Sequence, residues 1–114
     1  MKRLTINTNY SNLNDLKLKK KADKILLSMT NNLFFKESNF FVESLTKSII
    51  FFSETRNVII GYASSIEYNN NKSREDLLDN LKQLEIYILS VAMDDEKMLI
   101  SSGFSIVKRS TLLM

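Results

Sequence analysis

Apolar residues first recur at spacings of three and four from residue 18 onward. This spacing matches an amphipathic α-helix with one apolar face. Polar residues suited to start a helix lie between Asn12 and Asp15, and the run Thr30-Asn31-Asn32 marks its end. The pattern therefore predicts a first helix whose buried face is Leu18, Ala22, Ile25 and Met29.

A second patterned stretch opens at Ser38 or Asn39, and its apolar period continues to residue 67. A single helix over residues 39–67 would contain Gly61, which costs about 1 kcal/mol relative to alanine. Gly61 therefore indicates close helix packing or a slight bend, and three consecutive asparagines at 69–71 predict a turn. The predicted apolar face is Phe41, Leu45, Ile49, Phe52, Ile59, Ala63 and Ile66.

Ser73, followed three residues later by Asp76, forms a capping pattern that predicts the start of a third helix. Asp94 and Asp95 are placed to cap a short fourth helix, and Gly103 is placed to stop it. The predicted face of the third helix is Leu77, Leu81, Leu84, Ile88 and Val91, with a second edge of Leu78, Tyr87 and Ala92.

Both ends of the chain alternate apolar and polar residues, a pattern typical of extended chain. We expect strands only in an N-terminal arm, residues 1–11, and a C-terminal arm, residues 104–114. Residues 12–103 are expected to form one all-α domain, an antiparallel up-down-up-down bundle of three long helices and one short helix. The alternative is a helical hairpin that completes its core only on self-association.

The composition weighs against enzyme chemistry. The 114 residues include no His, Cys, Pro or Trp and only two glycines, so the usual general base, thiol nucleophile and zinc ligands are absent. The acidic run Asp94-Asp95-Glu96 is interpreted as helix capping, because adjacent helical residues point in different directions. We expect no catalytic residue, no bound metal and no cofactor.

Positive charge is concentrated near the N-terminus. Residues 1–24 hold seven basic and two acidic residues, in a chain whose net charge is only +3. This predicts a basic face that is either solvated or contacts an acidic protein; nucleic acid is disfavoured because few arginines and no aromatic residues accompany the lysines. The candidate basic face is Lys17, Lys19, Lys20, Lys21 and Lys24.

The chain carries more aromatic and terminal apolar residues than one bundle face can bury. Because the segment Leu33-Phe34-Phe35 is too apolar for an exposed loop, at least one of its rings should fill the end of the core. Adjacent phenylalanines place one ring toward the core and the other elsewhere, and exposed apolar patches mark protein interfaces. The candidate interface residues are Phe34, Phe40, Phe51, Ile6, Tyr10, Phe104 and Ile106.

Three blocks of sequence resemble an uncharacterised bacterial domain that is common in Bacteroidota-type genomes and their phages. They are Met29-Thr30-Asn31-Asn32 with Phe34 or Phe35, then Arg74-Glu75-x-Leu77-Leu78-x-x-Leu81-x-x-Leu84-x-x-Tyr87, and then Asp94-Asp95 with Leu99-Ile100-Ser101-Ser102-Gly103-Phe104 and Lys108. The resemblance, which runs from Ala22 to Lys108, implies a small four-helix bundle. Some relatives carry a fibronectin type III domain after the bundle, where this sequence ends.

These features together favour a non-catalytic structural or assembly protein that binds copies of itself or other structural subunits. We expect a phage virion component, such as a head–tail adaptor or capsid accessory protein; the alternative is a cytoplasmic bacterial adaptor that binds an acidic protein. No apolar run of signal-peptide length follows Met1, and no stretch approaches the roughly 18 apolar residues of a membrane span. We therefore expect a virion or cytoplasmic location without membrane contact.

Overall fold

The computed structural model describes residues 2–6, 10–56 and 63–110, with side chains for residue 6 and for residues 10–55 and 70–107. The chain is mostly helical (75%), and its described part has four helices, three of them long, that pack against each other. The all-α prediction is therefore confirmed, whereas the up-down-up-down order of the helices stays a prediction. The elements in chain order are β1 (Lys2–Ile6), a 3-10 turn (Tyr10–Asn12), α1 (Asp15–Met29), α2 (Asn39–Arg56), α3 (Ala63–Ala92), α4 (Glu96–Ser101) and β2 (Ile106–Ser110).

Capping residues set the helix ends where the sequence offers them. Asn14 Oδ1 accepts a hydrogen bond from the Lys17 backbone N–H at 2.8 Å, and Asp95 Oδ1 accepts one from the Met98 N–H at 3.1 Å. Each bond satisfies a backbone donor that has no partner inside its own helix. The chain leaves α1 through Asn31, whose φ of 58° lies in the left-handed region that asparagine tolerates. The predicted starts of α1 and α4 and the predicted end of α1 are confirmed.

The predicted turn at residues 69–71 is wrong, because α3 runs without interruption through all three asparagines. Residues 63–67, which the periodicity assigns to the second helix, belong to α3. The helix propensity of asparagine is lower than that of alanine by less than about 1 kcal/mol per residue, so tertiary packing readily overrides it. Ile59 and Gly61 lie outside the described residues.

The predicted cap at Ser73 is wrong for the same reason. Ser73 lies in the interior of α3 and is fully buried. Its hydroxyl lies 2.8 Å from Thr55 Oγ1 of α2 and donates to the carbonyl oxygen of Asn70 at 3.1 Å. Ser73 thus satisfies its hydroxyl in the contact between α2 and α3.

One hydrophobic core joins the helices, and most predicted face positions contribute to it. Phe35 is the ring of its segment that enters the core, as predicted, with 1% of its surface exposed. Val91 departs from the prediction, because it is 40% exposed while Ala92 is buried in its place. The buried positions of the predicted faces are Leu18, Ala22, Ile25, Met29, Leu45, Ile49, Phe52, Leu77, Leu81, Leu84 and Ile88.

The two ends of the chain pair with each other. β1 and β2 form an antiparallel two-stranded sheet in which Lys2 is paired with Ser110 and Ile6 with Ile106. The expected extended conformation of both arms is confirmed at these residues. The partner of each strand lies in the same chain, about 100 residues away in sequence.

Arg74 fastens the start of α1 to α3. Its guanidinium donates to Asp15 Oδ1 at 2.8 Å, to the Ser11 carbonyl oxygen at 3.1 Å and to the Leu13 carbonyl oxygen. The planar fork of arginine suits several acceptors at once. The conformation of the chain between the 3-10 turn and α1 is therefore tied to the middle of the fold.

The end of α1 packs against the end of α4. The Asn32 amide donates to both the carbonyl and the hydroxyl oxygen of Ser101, each at 3.1 Å. Gly103 has φ of 84°, and a Cβ atom placed there would lie 2.6 Å from Ser28 Oγ and 3.2 Å from Ile25 Cα. Asn32 belongs to the first block of the resemblance, and Ser101 and Gly103 belong to the last. These two blocks therefore meet where α1 packs against α4.

Candidate interaction surfaces

The segment between α1 and α2 and the first turn of α2 expose large apolar side chains. Leu33 is 82% exposed, Phe34 50% and Phe40 72%. We call these three residues the aromatic end. Leu33 also lines a cleft of about 220 Å³, together with Phe35 and with polar and charged residues between positions 31 and 39. Phe34 and Phe40, both candidate interface residues, therefore offer accessible surface.

Phe40 is the outer member of a series of ring contacts that reaches the core. Its ring meets Phe41 edge-on at 5.6 Å, and Phe41 stacks on Tyr87 of α3 at 4.8 Å. Tyr87 in turn lies 6.1 Å from the buried ring of Phe35. Ring pairs at these separations attract each other. The inner rings therefore hold the exposed ring in place.

Three candidate interface residues lie inside the chain instead. Ile6 and Phe104 are each 4% exposed and Tyr10 is 7% exposed. The rings of Tyr10 and Phe104 are 6.0 Å apart, so the two arms pack against each other. These side chains complete the core of their own chain and leave no surface for a partner. The cause is the pairing of the two arms, which local patterning does not reveal.

Phe51 and Ile106 occupy intermediate positions. Ile106 packs against the edge of the hydrophobic core. Phe51 is partly buried and lines an open cleft of about 360 Å³ between α2 and α3. The other lining residues of this cleft are Ser44, Lys47, Ser48, Asp76 and Asn80. Phe51 is less exposed than Phe40 and therefore offers less apolar surface to a partner.

In the candidate basic face, some lysine side chains contact a partner within the chain and others are exposed to solvent. Lys19 Nζ forms an ion pair with Asp23 at 2.8 Å, and Lys21 Nζ donates to Ser105 Oγ at 2.5 Å. Burial lowers the pKa of Lys21, and the charge of Lys24 lowers it further. The open members are Lys17, Lys20 and Lys24, which are exposed and have no acidic partner among the described residues.

A buried polar group that sequence patterning missed lies where α3 meets the 3-10 turn. Glu85 is 5% exposed and shares a small pocket with Tyr10, beside Lys82, whose Nζ is 3.7 Å from Glu85 Oε1. Burial raises the pKa of Glu85, although Lys82 opposes this, and burial raises the pKa of Tyr10 to about 12. The sequence indicates this buried group only through the position of Glu85 between the apolar residues Leu84 and Ile86.

Acidic residues do not converge on a metal site in the described part of the chain, where no group of three or more potential ligands is close enough to hold an ion. Asp95 caps α4, as predicted for the acidic run at residues 94–96. None of the described helices is both long and apolar enough to cross a bilayer.

No family model, curated protein or solved structure matches this chain. The resemblance to the uncharacterised bacterial domain therefore stays a prediction.

Proposed function

We propose that this chain is a non-catalytic assembly subunit that binds a second copy of itself through the aromatic end. The observation that carries the proposal is the 72% exposure of Phe40, at the outer end of a series of rings that continues into the core. An aromatic side chain buries about 150–250 Å² when it is covered. Leaving such side chains in water forgoes about 25 cal/mol for each Å².

The aromatic end has no role in completing the core. Phe35 already fills the core at this point with 1% of its surface exposed, whereas Leu33 is 82% exposed. Several large apolar side chains exposed close together in sequence are typical of a protein interface. Aromatic residues are also the type most enriched at the centre of interfaces.

Within this proposal, the setting we favour is a phage virion, where the subunit would act as a head–tail adaptor or capsid accessory protein. Its support is the sequence resemblance together with a surface suited to contacts between subunits. The virion assignment depends on self-association, so the oligomeric state is tested first.

The test compares two charge insertions of equal size by sedimentation velocity. In Phe40→Glu the new carboxylate lies at the aromatic end, and in the control Ile86→Glu it replaces a residue of α3 that is 54% exposed. We expect the wild type and Ile86→Glu to sediment as the same oligomer and Phe40→Glu to sediment as a monomer. Circular dichroism shows whether each variant keeps its helix content.

Equal sedimentation of all three proteins would overturn the proposal, whether they are all oligomers or all monomers. Loss of assembly in Ile86→Glu alone would place the contact on α3 instead. Phe34→Glu serves as a second variant of the aromatic end, should Phe40→Glu lose helix content.

A further inference from the structure

The pairing of the two strands gathers positive charge that is far apart in sequence. Lys2 is paired with Ser110, Arg3 with Arg109, and Leu4 with Lys108. Three successive pairs thus hold four basic residues, and neither strand contains an acidic residue. We call this two-stranded sheet the basic ribbon.

Like charges occupy directly paired positions in the basic ribbon. Arg3 and Arg109 are partners in the register, and directly opposed like charges destabilise an antiparallel pair. A two-stranded sheet is also marginally stable by itself in water. The register therefore places like-charged residue types at paired positions, an arrangement that favours a ligand with negative charge.

The uncharged end of the basic ribbon is fixed to the body of the protein. Ile6, which is paired with Ile106, is buried. The Tyr10 and Phe104 rings, 6.0 Å apart, lie next to this end in the chain. The charged pairs therefore occupy a ribbon with one end anchored in the core. They lie about 7–13 Å along the strand from Ile6, at 3.3 Å per residue.

One lysine of α1 contacts the chain at the start of β2. Lys21 donates to Ser105, the residue directly before β2. Lys17 and Lys24 are exposed and lie one turn to either side of Lys21 on the helix. They add about 10 Å of basic helix face at 1.5 Å per residue. Lys21 thus brings this basic helix face next to the start of β2, at the end of the ribbon that holds Ile106.

We propose that the basic ribbon, together with Lys17 and Lys24, binds the sugar–phosphate backbone of a nucleic acid duplex. A two-stranded antiparallel ribbon fits the major groove of B-form DNA. Lysine and arginine contacts to phosphates supply binding that is independent of sequence. Basic residues at three successive strand pairs suit the regular spacing of phosphates better than they suit a compact acidic patch on a protein.

This inference departs from the expectation based on sequence, which disfavoured nucleic acid. That expectation rested on the small net charge and on the few arginines and missing aromatic residues near the lysines of α1. The strand register places Lys108 and Arg109 beside the N-terminal basic residues, which the sequence alone does not reveal. The inference is independent of assembly through the aromatic end, which comprises Leu33 and Phe34 before α2 and Phe40 in its first turn.

The test measures binding to a labelled 30-base-pair DNA duplex by fluorescence anisotropy at several salt concentrations. The ribbon variant is Arg3→Gln/Arg109→Gln, and the matched control is Lys47→Gln/Lys97→Gln, which removes the same charge from exposed sites on α2 and α4. We expect the control to bind within about twofold of the wild type. The ribbon variant should bind at least about tenfold more weakly. The slope of log K against the logarithm of the salt concentration should become shallower by the equivalent of about two phosphate contacts.

Equal loss of binding in the two double variants would overturn the proposal, as would a wild type that shows no salt-dependent binding. Polyglutamate serves as the competing probe. Tighter binding of polyglutamate than of DNA, lost in the ribbon variant, would assign the site to an acidic protein and also overturn the proposal. Lys2→Gln/Lys108→Gln tests the same ribbon should the arginine variant lose helix content.

Discussion

Gly103 stops α4 because its conformation and its surroundings both demand a residue without a side chain. Its φ of 84° lies in the left-handed region, and the nearest atoms to a Cβ there would be Ser28 Oγ at 2.6 Å and Ser28 Cβ at 2.9 Å. Sequence patterning identifies the first reason, since glycine is the usual residue just after a helix. The second depends on how α1 and α4 meet in space.

We expect Gly103→Ala to lower the free energy of unfolding by about 2–4 kcal/mol, since the left-handed conformation and the close contact each cost about 1–2 kcal/mol. Urea denaturation measures this change. Adding Ser28→Ala should restore part of the loss because it removes the nearest atom. A Gly103→Ala protein as stable as the wild type would contradict this account of the junction.

Glu85 makes the stability of the fold depend on pH. Burial raises the pKa of Glu85 in the folded chain above its ordinary value of 4.5. Between the two pKa values the folded state therefore holds more protons than the unfolded state. The contribution of Glu85 to stability is then fully present below pH 4.5 and decreases as the pH rises through the folded pKa.

Comparison with Glu85→Gln isolates this effect, because the other titrating groups are common to both proteins. We expect the free energy of unfolding of the wild type to decrease relative to that of Glu85→Gln as the pH is raised from 4 to 8. Urea titrations at several pH values give the two curves. Parallel curves would mean that Glu85 ionises as easily in the folded chain as in the unfolded chain.

At the scale of the elements, α2 and α3 are joined by a buried hydroxyl pair as well as by apolar packing. Thr55 Oγ1 and Ser73 Oγ are 2.8 Å apart, and both residues are buried. Each hydroxyl also donates to a carbonyl of its own helix, Thr55 to Phe52 and Ser73 to Asn70, so the contact between the two adds to these bonds. The pair therefore fixes how the two helices align along their lengths.

A double-mutant cycle with Thr55→Val and Ser73→Ala tests this contact. We expect each single change to lower the free energy of unfolding by about 1–2 kcal/mol and the cycle to give a coupling of about 1 kcal/mol. Thermal or urea unfolding of the four proteins gives the values. Strictly additive losses would show that the two hydroxyls do not depend on each other.

Local sequence signals predict the elements well where side chain and backbone interact within one turn. The N-caps at Asn14 and Asp95 and the apolar face of α1 follow from residue type and spacing alone. The asparagines at 69–71 predict a turn wrongly, because their low helix propensity costs less free energy than the packing of α3 on either side supplies. Arg74 could be recognised only as part of the family resemblance, because its three acceptors lie about 60 residues away.

At the scale of the whole molecule, the strand pairing explains why the predicted interface was only partly accessible. The alternating pattern at both ends is visible in the sequence, but their register depends on chain segments about 100 residues apart. The same pairing buries Ile6, Tyr10 and Phe104 and leaves Phe34 and Phe40 as the exposed candidates. Burial within the chain thus decides which apolar residues remain available to a partner.

The central claim is that this protein associates with itself through the aromatic end. Light scattering of the wild-type chain over a tenfold range of concentration tests it most directly. If the chain self-associates, its average mass in solution rises with concentration toward a defined multiple of 13.2 kDa. A constant mass of 13.2 kDa over the whole range would contradict it.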